Sequence, residues 1–187
     1  MSTAGNFFVR WRVRLGYPLA IVALWFSRPT RRSIVVGALV GVVGLSVRAY
    51  AAGYLRKQEV LTVTGPYAYT RNPLYLGSAL LVLGTAIATR SWISSAILMV
   101  YFAVFYSVVM QREANELHRR HGASFEEYAR AVPLFLPRLT AARLTGDCAG
   151  SFSFAQFKKN HEWQATAGFL FLLLVLLFIS RLRLPTH

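Results

Sequence analysis

Long apolar stretches, separated by short polar ones, run through most of the chain. The most uniform stretch extends from Ala165 to Ser180, with Trp163 just before it and Arg181 just after it. A helix that crosses a bilayer takes about 20 mainly apolar residues, and aromatic and basic flanks are typical of the two membrane interfaces. The pattern therefore predicts a transmembrane helix near the C-terminus.

A second span is predicted at Ser33–Val47, and it extends to Tyr54 if Arg48 carries its charged end to the membrane surface. Gly37 and Gly41 form a GxxxG pattern, which allows two helices to approach closely. We expect a helix contact on this face, and a homo-oligomer is one arrangement that would use it.

The stretch Leu74–Met110 contains one charged residue, Arg90. At about 1.5 Å per residue it is far too long for a single crossing. The polar break around Arg90 therefore predicts a tight turn between two spans, Leu74–Ala88 and Trp92–Met110. The first apolar stretch, Leu15–Ser27, is shorter and contains a proline, so it predicts either a fifth span or a tilted, interfacial helix. No small-x-small cleavage site follows it, which argues against a cleaved signal peptide.

Composition supports a membrane protein. Of the 187 residues, 55% are hydrophobic and 15% are charged, and the mean hydropathy is +0.43, whereas a soluble domain carries roughly 25% charged residues. These values exclude an ordinary soluble enzyme and a disordered chain. We predict an all-α, polytopic membrane bundle of about five transmembrane helices with a tight helical hairpin.

The chain is strongly basic, with 21 Lys and Arg against 7 Asp and Glu and a net charge of +14. Such a charge indicates nucleic acid or an anionic membrane face as partner. The apolar content favours the bilayer, and arginines without interleaved base-stacking aromatics argue against nucleic acid. With a cytoplasmic N-terminus, most basic and all acidic residues lie on cytoplasmic segments, as the positive-inside rule requires. The outer segments then hold Arg28, Arg31, Arg32, Arg90, Arg181 and Arg183.

Candidate chemistry begins in the segment 64–77. Gly65-Pro66 predicts a turn, and Asn72-Pro73 predicts the N-cap and the first residue of a helix. The N–H groups and the positive dipole end of that helix, together with Arg71, suit a carboxylate or a phosphate. A plain interfacial belt is the alternative, although it does not explain why three tyrosines and an arginine gather at this helix start.

A second polar segment, 111–122, follows the last span of the hairpin. Glu113 and Glu116 lie three residues apart and share a helix face. Their pairing with Arg112 and Arg119 on a solvated surface is the simpler interpretation. Residues 125–138 predict an amphipathic helix that ends at prolines and lies against the membrane surface.

Metal and thiol chemistry are not expected. His118 and His121 lack a third ligand at metal spacing. The single cysteine, Cys148, can form no disulfide within the chain, and it has no basic neighbour in sequence that would make it a nucleophile.

Together, the two polar segments resemble a known family. Gly65-Pro66-Tyr67, followed by Arg71-Asn72-Pro73-Leu74-Tyr75-Leu76-Gly77, resembles the GxY…RHPxYxG motif of integral membrane methyltransferases. Glu113 to Leu117, followed by Gly122, Tyr128, Val132-Pro133 and Pro137, resembles the EExxL…G…Y…VP…P tail of the same family. The family includes isoprenylcysteine carboxyl methyltransferases and phospholipid N-methyltransferases. The resemblance covers residues 61–137, and the pair of motifs is more specific than either alone.

The resemblance implies S-adenosylmethionine as the methyl donor and a cofactor pocket on the cytoplasmic side. It implies that residues of both motifs line this pocket, namely Gly65, Tyr67, Arg71, Asn72, Pro73, Tyr75, Gly77, Glu113 and Glu116. The expected acceptor is a lipid or a prenylated molecule that enters from the bilayer. Glu116 and Arg138 are the candidates for catalysis. Glu116, or alternatively Tyr67, would take a proton from an amine acceptor, and Arg138 would bind an anionic headgroup or carboxylate.

Two positions depart from the family pattern. Asn72 replaces the usual His and cannot titrate near neutrality, so an imidazole acid or base is lost. Ala114 replaces the second Glu of the EE pair, and Glu116, one helical turn further on, is a candidate substitute.

We expect a single membrane domain over 1–187, with N-terminal helices in 1–60, a methyltransferase-like core in 61–138, and a loop and C-terminal helix in 139–187. Two other functions stay open. One is an NADPH-dependent membrane reductase of the sterol type, whose C-terminal cofactor architecture resembles this family, and the other is a non-enzymatic membrane assembly subunit. The acceptor is left open among a carboxylate, an amine and a thiol.

Overall fold

The computed structural model describes residues 3–56, 60–143 and 150–183. Cys148 lies outside these residues. Within them the chain forms seven α-helices and one short 3₁₀ helix. In chain order they are α1 (Thr3–Phe26), α2 (Arg31–Tyr54), the 3₁₀ helix (Gly65–Ala68), α3 (Pro73–Thr89), α4 (Trp92–His121), α5 (Ala123–Ala131), α6 (Phe154–Lys159) and α7 (Trp163–Leu182). The predicted helical membrane bundle is confirmed.

Three helices, α2, α4 and α7, are long and apolar enough to cross a membrane. Two shorter apolar helices, Arg14–Phe26 within α1 and Pro73–Thr89, correspond to the other two predicted spans. At about 1.5 Å per residue, α3 extends roughly 26 Å, slightly less than the roughly 30 Å of hydrocarbon in a typical bilayer. That α1 and α3 also cross the membrane, which would give five crossings, therefore stays a prediction.

The predicted break in the long apolar stretch is confirmed. Helix α3 ends at Thr89, and Arg90 adopts the left-handed conformation with φ 49° and ψ 40°. Ser91 then caps α4, because its side chain accepts a hydrogen bond from the Ser94 backbone N–H. One residue with positive φ thus reverses the chain and lays α3 and α4 side by side.

Glycines set the close packing of α2 against its neighbours. A Cβ atom at Gly37 would lie 2.3 Å from the Gly84 carbonyl oxygen of α3, and one at Gly41 would lie 2.0 Å from the Phe169 ring of α7. The predicted close contact is therefore present, and it lies within one chain. Helices α3 and α7 of the same chain lie against Gly37 and Gly41, and a homo-oligomer through this face stays a prediction.

The connecting segments gather at two opposite ends of the bundle. At one, here called the hairpin end, the Arg28 N–H donates to the Thr89 carbonyl oxygen at 2.8 Å and Ser33 Oγ donates to the Ala88 carbonyl oxygen at 3.0 Å. At the other, the motif end, lie residues 60–72, residues 122–143 and α6. There Asn160 Nδ2 donates to the Ala52 carbonyl oxygen at 2.8 Å, which joins α6 to the last turn of α2. The fold thus brings both sequence motifs to one end.

Candidate functional site

The predicted turn at Gly65-Pro66 is confirmed, and it begins the 3₁₀ helix at the motif end. Gly65 has a φ of +60°, which L side chains rarely adopt. A Cβ atom there would also lie 2.5 Å from the Tyr54 ring. Gly65 therefore fits both the backbone conformation and the contact with α2, and it sets the direction in which Tyr67 leaves the turn.

Asn72 lies at the N-cap of α3, as predicted, with Pro73 as the first helical residue. Its side chain does not cap the helix. Instead, Nδ2 donates to the Leu134 carbonyl oxygen at 2.9 Å. The amide thus ties the start of α3 to the loop that follows α5, a bond that needs a donor but no titratable group.

Three further hydrogen bonds dock that loop against the first motif. The Arg71 N–H donates to the Pro133 carbonyl oxygen at 2.9 Å, and the Arg138 N–H donates to the Tyr69 carbonyl oxygen at 3.0 Å. Thr70 Oγ1 donates to the Phe135 carbonyl oxygen at 2.8 Å. Backbone pairing of this kind fixes residues 69–72 against residues 133–138, so the two motifs meet in space.

A side-chain bond also joins the motifs. Tyr75 Oη donates to Glu113 Oε1 at 2.6 Å, from the first turn of α3 to the polar part of α4. The Tyr75 ring also lies edge-on to Tyr106 of α4, with 5.3 Å between the ring centroids. Glu113 therefore faces the first motif, as the sequence predicted.

Glu116 takes a different direction from Glu113. Its carboxylate oxygens accept hydrogen bonds from Arg119 Nη2 at 2.7 Å and Arg120 Nε at 2.8 Å, one turn further along α4. These side chains are 44–65% exposed. The solvated ion-pair interpretation thus describes Glu116, with Arg120 in addition to the expected Arg119.

Tyr67 and Arg71 lie at the centre of the motif end. Tyr67 is 6% exposed, and among the described residues neither its Oη nor the buried Nε of Arg71 has a hydrogen-bond partner. The Arg71 guanidinium lies over the Phe125 ring at 5.9 Å from its centroid. Buried polar groups are nearly always paired in proteins, so two neighbouring exceptions indicate a place for a polar ligand.

An apolar cluster packs behind these two side chains. It consists of Leu61, Val63, Phe125, Tyr128 and Val132, with Tyr128 Oη donating to the Tyr67 carbonyl oxygen at 2.9 Å. Burial raises the pKa of Tyr67 far above its ordinary value, and the charges of Glu113 and Glu162 add to the shift. Burial also lowers the pKa of Arg71, although a guanidinium stays charged at neutral pH.

This arrangement agrees with what a comparison of the sequence with known families shows. The model of phospholipid methyltransferases matches residues 11–124, which is more than half of the chain. The chain belongs to the phospholipid methyltransferase family. Both the Tyr67–Arg71 pair and Glu113 lie inside the matched range.

Individual relatives have varied names. The chain is 34% identical to the cobalt-zinc-cadmium resistance protein CzcN of Cupriavidus metallidurans over 158 residues, which are 80% of this chain and 71% of that protein. It is 30% identical to the protein-S-isoprenylcysteine O-methyltransferase of Schizosaccharomyces pombe and 33% identical to methanethiol S-methyltransferase 2 of Bradyrhizobium diazoefficiens, over 50% and 43% of this chain and 40% and 30% of those proteins. No solved structure matches the chain.

Two predicted site residues, Gly77 of the first motif and Arg138 just after the second, have structural contacts of their own. A Cβ atom at Gly77 would lie 2.6 Å from Cγ of Arg48 and 2.7 Å from the Gly44 carbonyl oxygen. Gly77 therefore faces α2 and belongs to helix packing, away from the Tyr67 side of α3. Arg138 Nη1 donates to the Ala131 carbonyl oxygen at 2.6 Å and so holds the last turn of α5.

Sequence reasoning missed one pair of the motif end. Helix α2 extends to Tyr54, the longer of the two predicted limits. Arg48 Nε and Nη2 donate to the two carboxylate oxygens of Glu162 at the start of α7, both at 2.9 Å, and this acidic partner was not predicted. A signal was available, since an ionisable residue inside an apolar span indicates a specific partner.

Metal ligation has no support in the described part of the chain, where no group of three His, Cys, Asp or Glu side chains is close enough to hold an ion. His118 Nε2 lies 3.8 Å from Glu126 Oε1 of α5. This contact places His118 in the packing of α4 against α5.

Proposed function

We propose that this protein transfers a methyl group from S-adenosylmethionine to a lipophilic acceptor of the membrane. The observation that carries the proposal is the pair of buried atoms Tyr67 Oη and Arg71 Nε, which have no hydrogen-bond partner among the residues that the structure describes. Leaving a buried donor unpaired costs about 1–3 kcal/mol. In a member of a methyltransferase family, such a cost is explained if the methyl donor pairs with these groups.

The groups at the motif end fit the chemistry of this donor. A guanidinium binds a carboxylate with charge-assisted hydrogen bonds, so Arg71 would hold the carboxylate of the amino-acid part. Glu113 would bind its ammonium or a ribose hydroxyl, and the rings of Tyr67 and Tyr75 suit a cationic sulfur. When bound, the donor supplies a methyl group on a positively charged sulfur, which leaves as a neutral thioether.

The residues of the chain contribute mainly orientation and exclusion of water. Methyl transfer is an in-line displacement, so a donor and an acceptor held close together and aligned gain much of the rate. The backbone pairing between residues 69–72 and 133–138 gives the walls of the pocket a fixed geometry. The apolar cluster behind Tyr67 keeps water away from the polar groups.

Neither proposed base is well suited to take a proton from an amine. Because its pKa is raised by burial, Tyr67 keeps its phenolic proton at neutral pH and acts as a hydrogen-bond donor. Glu116 is held by two arginines on the solvated side of α4, which stabilises its charged form. We therefore favour an acceptor that is already anionic, either a carboxylate or a thiolate, which needs no base.

A lipophilic acceptor is supported by a cavity between α2, α6 and α7. It has a volume of about 220 Å³, and four of its lining residues are apolar and three are polar, namely Val42, Leu45, Ala49 and Phe157 with Ser46, Glu162 and Thr166. An apolar chain of a membrane molecule would fill such a space. In the membrane orientation that the positive-inside rule favours, the motif end is cytoplasmic. The cavity then lies beside the apolar face of α2. Arg138 is proposed to bind the charged end of the acceptor.

The first test is the binding of S-adenosylhomocysteine to the protein in detergent, by calorimetry and by thermal shift. A ligand that binds only the folded state raises the apparent stability. We expect saturable binding that Arg71→Ala and Glu113→Ala abolish. Arg130→Ala is the matched control, because Arg130 is 82% exposed and pairs only weakly with Glu126, at 3.6 Å.

The acceptor is then identified with radiolabelled donor. We expect transfer to a prenylated cysteine analogue or to a long-chain thiol, and little transfer to phosphatidylethanolamine. Unchanged affinity in both Arg71→Ala and Glu113→Ala would contradict the proposed donor site. Oxidation of NADPH in the presence of a sterol would instead identify a reductase, and a stoichiometric partner protein without donor binding would identify an assembly subunit.

A further inference from the structure

Arg48 of α2 is a partly buried cation that contacts both α3 and the start of α7. Its side chain is 18% exposed, and the carboxylate of Glu162 that it faces is 9% exposed. Nε donates to Glu162 Oε2 and Nη2 donates to Oε1, both at 2.9 Å. This two-point geometry is the strong, orientation-specific form of an arginine–carboxylate pair.

The third nitrogen of the same guanidinium reaches α3. Nη1 donates to Ser78 Oγ at 2.5 Å and to the Leu74 carbonyl oxygen at 3.3 Å. The aliphatic part of Arg48 lies against Gly77, where any Cβ atom would be 2.6 Å from its Cγ. Helix α3 thus provides Arg48 with two hydrogen-bond acceptors, and Gly77 leaves room for its side chain.

We propose that Arg48 and Glu162 are positioning residues that hold the first turn of α3, and with it the donor pocket, in its binding geometry. Leu74 lies between Arg71 and Tyr75, the two side chains that we assign to the donor, so a shift of its carbonyl group displaces both. The inference rests on the proposed function. It also brings α7, which lies beyond the family match at 11–124, into the construction of the site.

Electrostatics places Glu162 close to the same pocket. Its charge contributes to the raised pKa of Tyr67, together with Glu113. Breaking a buried charge pair by removing one partner leaves the other charge uncompensated. Without the Glu162 carboxylate, the Arg48 guanidinium would shift towards other acceptors, and its hydrogen bonds would move the Leu74 carbonyl group and Ser78 with it.

The other end of α7 provides a matched control. There Arg183 Nη2 donates to the Trp25 carbonyl oxygen at 2.8 Å, and Nη1 donates to the Ser27 carbonyl oxygen. Arg183 therefore ties α7 to α1 at the hairpin end, opposite the donor pocket. A change at Arg183 tests whether loosening α7 is by itself enough to alter the site.

The experiment compares Glu162→Gln with Arg183→Gln, each as full-length protein in detergent. S-adenosylhomocysteine affinity is measured by calorimetry and stability by thermal unfolding. We expect both variants to lose stability. The Kd should rise about tenfold in Glu162→Gln and stay unchanged in Arg183→Gln, because a small displacement of the binding groups is enough to weaken binding by this amount. Arg48→Lys, which keeps the charge without the two-point geometry, is expected to behave like Glu162→Gln.

A milder variant covers the case in which Glu162→Gln does not fold. Ser78→Ala removes the hydroxyl that accepts from Arg48 and donates to the Leu74 carbonyl oxygen at 3.0 Å, while the Arg48–Glu162 pair stays. It should raise the Kd several-fold without loss of the folded protein. If the wild-type protein binds and Glu162→Gln has the same Kd as the wild type, the inference is overturned while the proposed function stands. If Glu162→Gln does not fold, an unchanged Kd in Ser78→Ala has the same meaning. An equal rise in Arg183→Gln also overturns it, because α7 attachment would then suffice. Failure of the wild-type protein to bind overturns the proposed function and the inference together.

Discussion

The α2–α3 interface and the motif end show two opposite uses of buried space. Between the helices, backbone meets backbone, and even one methyl group at Gly37 or Gly84 would overlap a carbonyl oxygen of the facing helix. At the motif end, two buried atoms, Tyr67 Oη and Arg71 Nε, have no hydrogen-bond partner among the described residues. The first region has its polar groups and its packing satisfied within the chain, whereas the second holds unpaired polar atoms that the proposed methyl donor would pair.

This difference predicts how the two regions respond to mutation. Helix contacts in membranes depend on close packing because lipid is as apolar as the helices themselves. Substitutions in the α2–α3 interface should therefore lower stability first and binding only as a consequence. Substitutions at the motif end should separate the two properties, because a residue that improves ligand binding can lower the stability of the empty protein.

The largest effect is expected for Gly84→Ala. Its Cβ atom would lie 2.5 Å from the Gly37 carbonyl oxygen and 2.9 Å from the Gly41 backbone nitrogen, neither of which can move without the helix. We expect a loss of about 2 kcal/mol, typical of overpacking, measured by detergent-induced or thermal unfolding. Gly168→Ala in α7 is the control, because a Cβ atom there meets nothing within 4 Å. Equal stability of the two variants would contradict the described interface.

Tyr67→Phe is expected to separate stability from binding. The change removes a buried hydroxyl without a partner, so the ligand-free protein should melt at an equal or higher temperature. The Kd for S-adenosylhomocysteine should rise by about tenfold, as expected for the loss of about 1.4 kcal/mol of hydrogen bonding. A lower melting temperature with unchanged affinity would show that Tyr67 Oη serves the fold and not the ligand.

The bond between Tyr75 and Glu113 should contribute a moderate amount. It joins α3 to α4 at 2.6 Å, in a partly exposed position. A double-mutant cycle of Tyr75→Phe and Glu113→Gln, followed by thermal unfolding, should give an interaction energy of about 1 kcal/mol. Additive effects of the two single changes would show that the bond does not stabilise the motif end.

The smallest effect is expected for Glu116→Gln. The carboxylate pairs with Arg119 and Arg120, two exposed arginines of its own helix, and exposed pairs contribute little to stability. Melting temperature, donor affinity and transfer rate should all stay close to those of the wild-type protein. A strong loss of transfer to an amine acceptor, with donor affinity unchanged, would restore Glu116 as the general base.

The helical segments were predictable because apolar length is a local property of the sequence. The span before Ser180, the helix starting at Pro73 and the turn at Arg90 were all predicted within a few residues. The start of α1 and the short helix α6 were not predicted, since neither is marked by a long apolar run. The docking of residues 133–138 on residues 69–72 was not predicted either. It uses mostly backbone groups, and because these are the same at nearly every position, the sequence does not show which of them pair.

The site shows the same limit. The resemblance placed Tyr75 and Glu113 at one pocket, and the structure joins them by a hydrogen bond of 2.6 Å that the motifs did not predict. The resemblance also assigned Gly77 to the donor, whereas the structure places it against Arg48. A glycine in a motif has no side chain that reveals which neighbour approaches it, so its role depends on the packing of the whole bundle.

By itself, the sequence determined the membrane class, the hairpin and the two segments that carry the chemistry, since these follow from hydropathy, turn residues and the order of side chains along the chain. Only the tertiary structure decided the partners: Arg48 with Glu162, Asn72 with Leu134, and the Tyr67 hydroxyl with none among the described residues. The physical reason is distance. Partners such as Arg48 and Glu162 are separated by more than a hundred residues and meet only once the helices have packed.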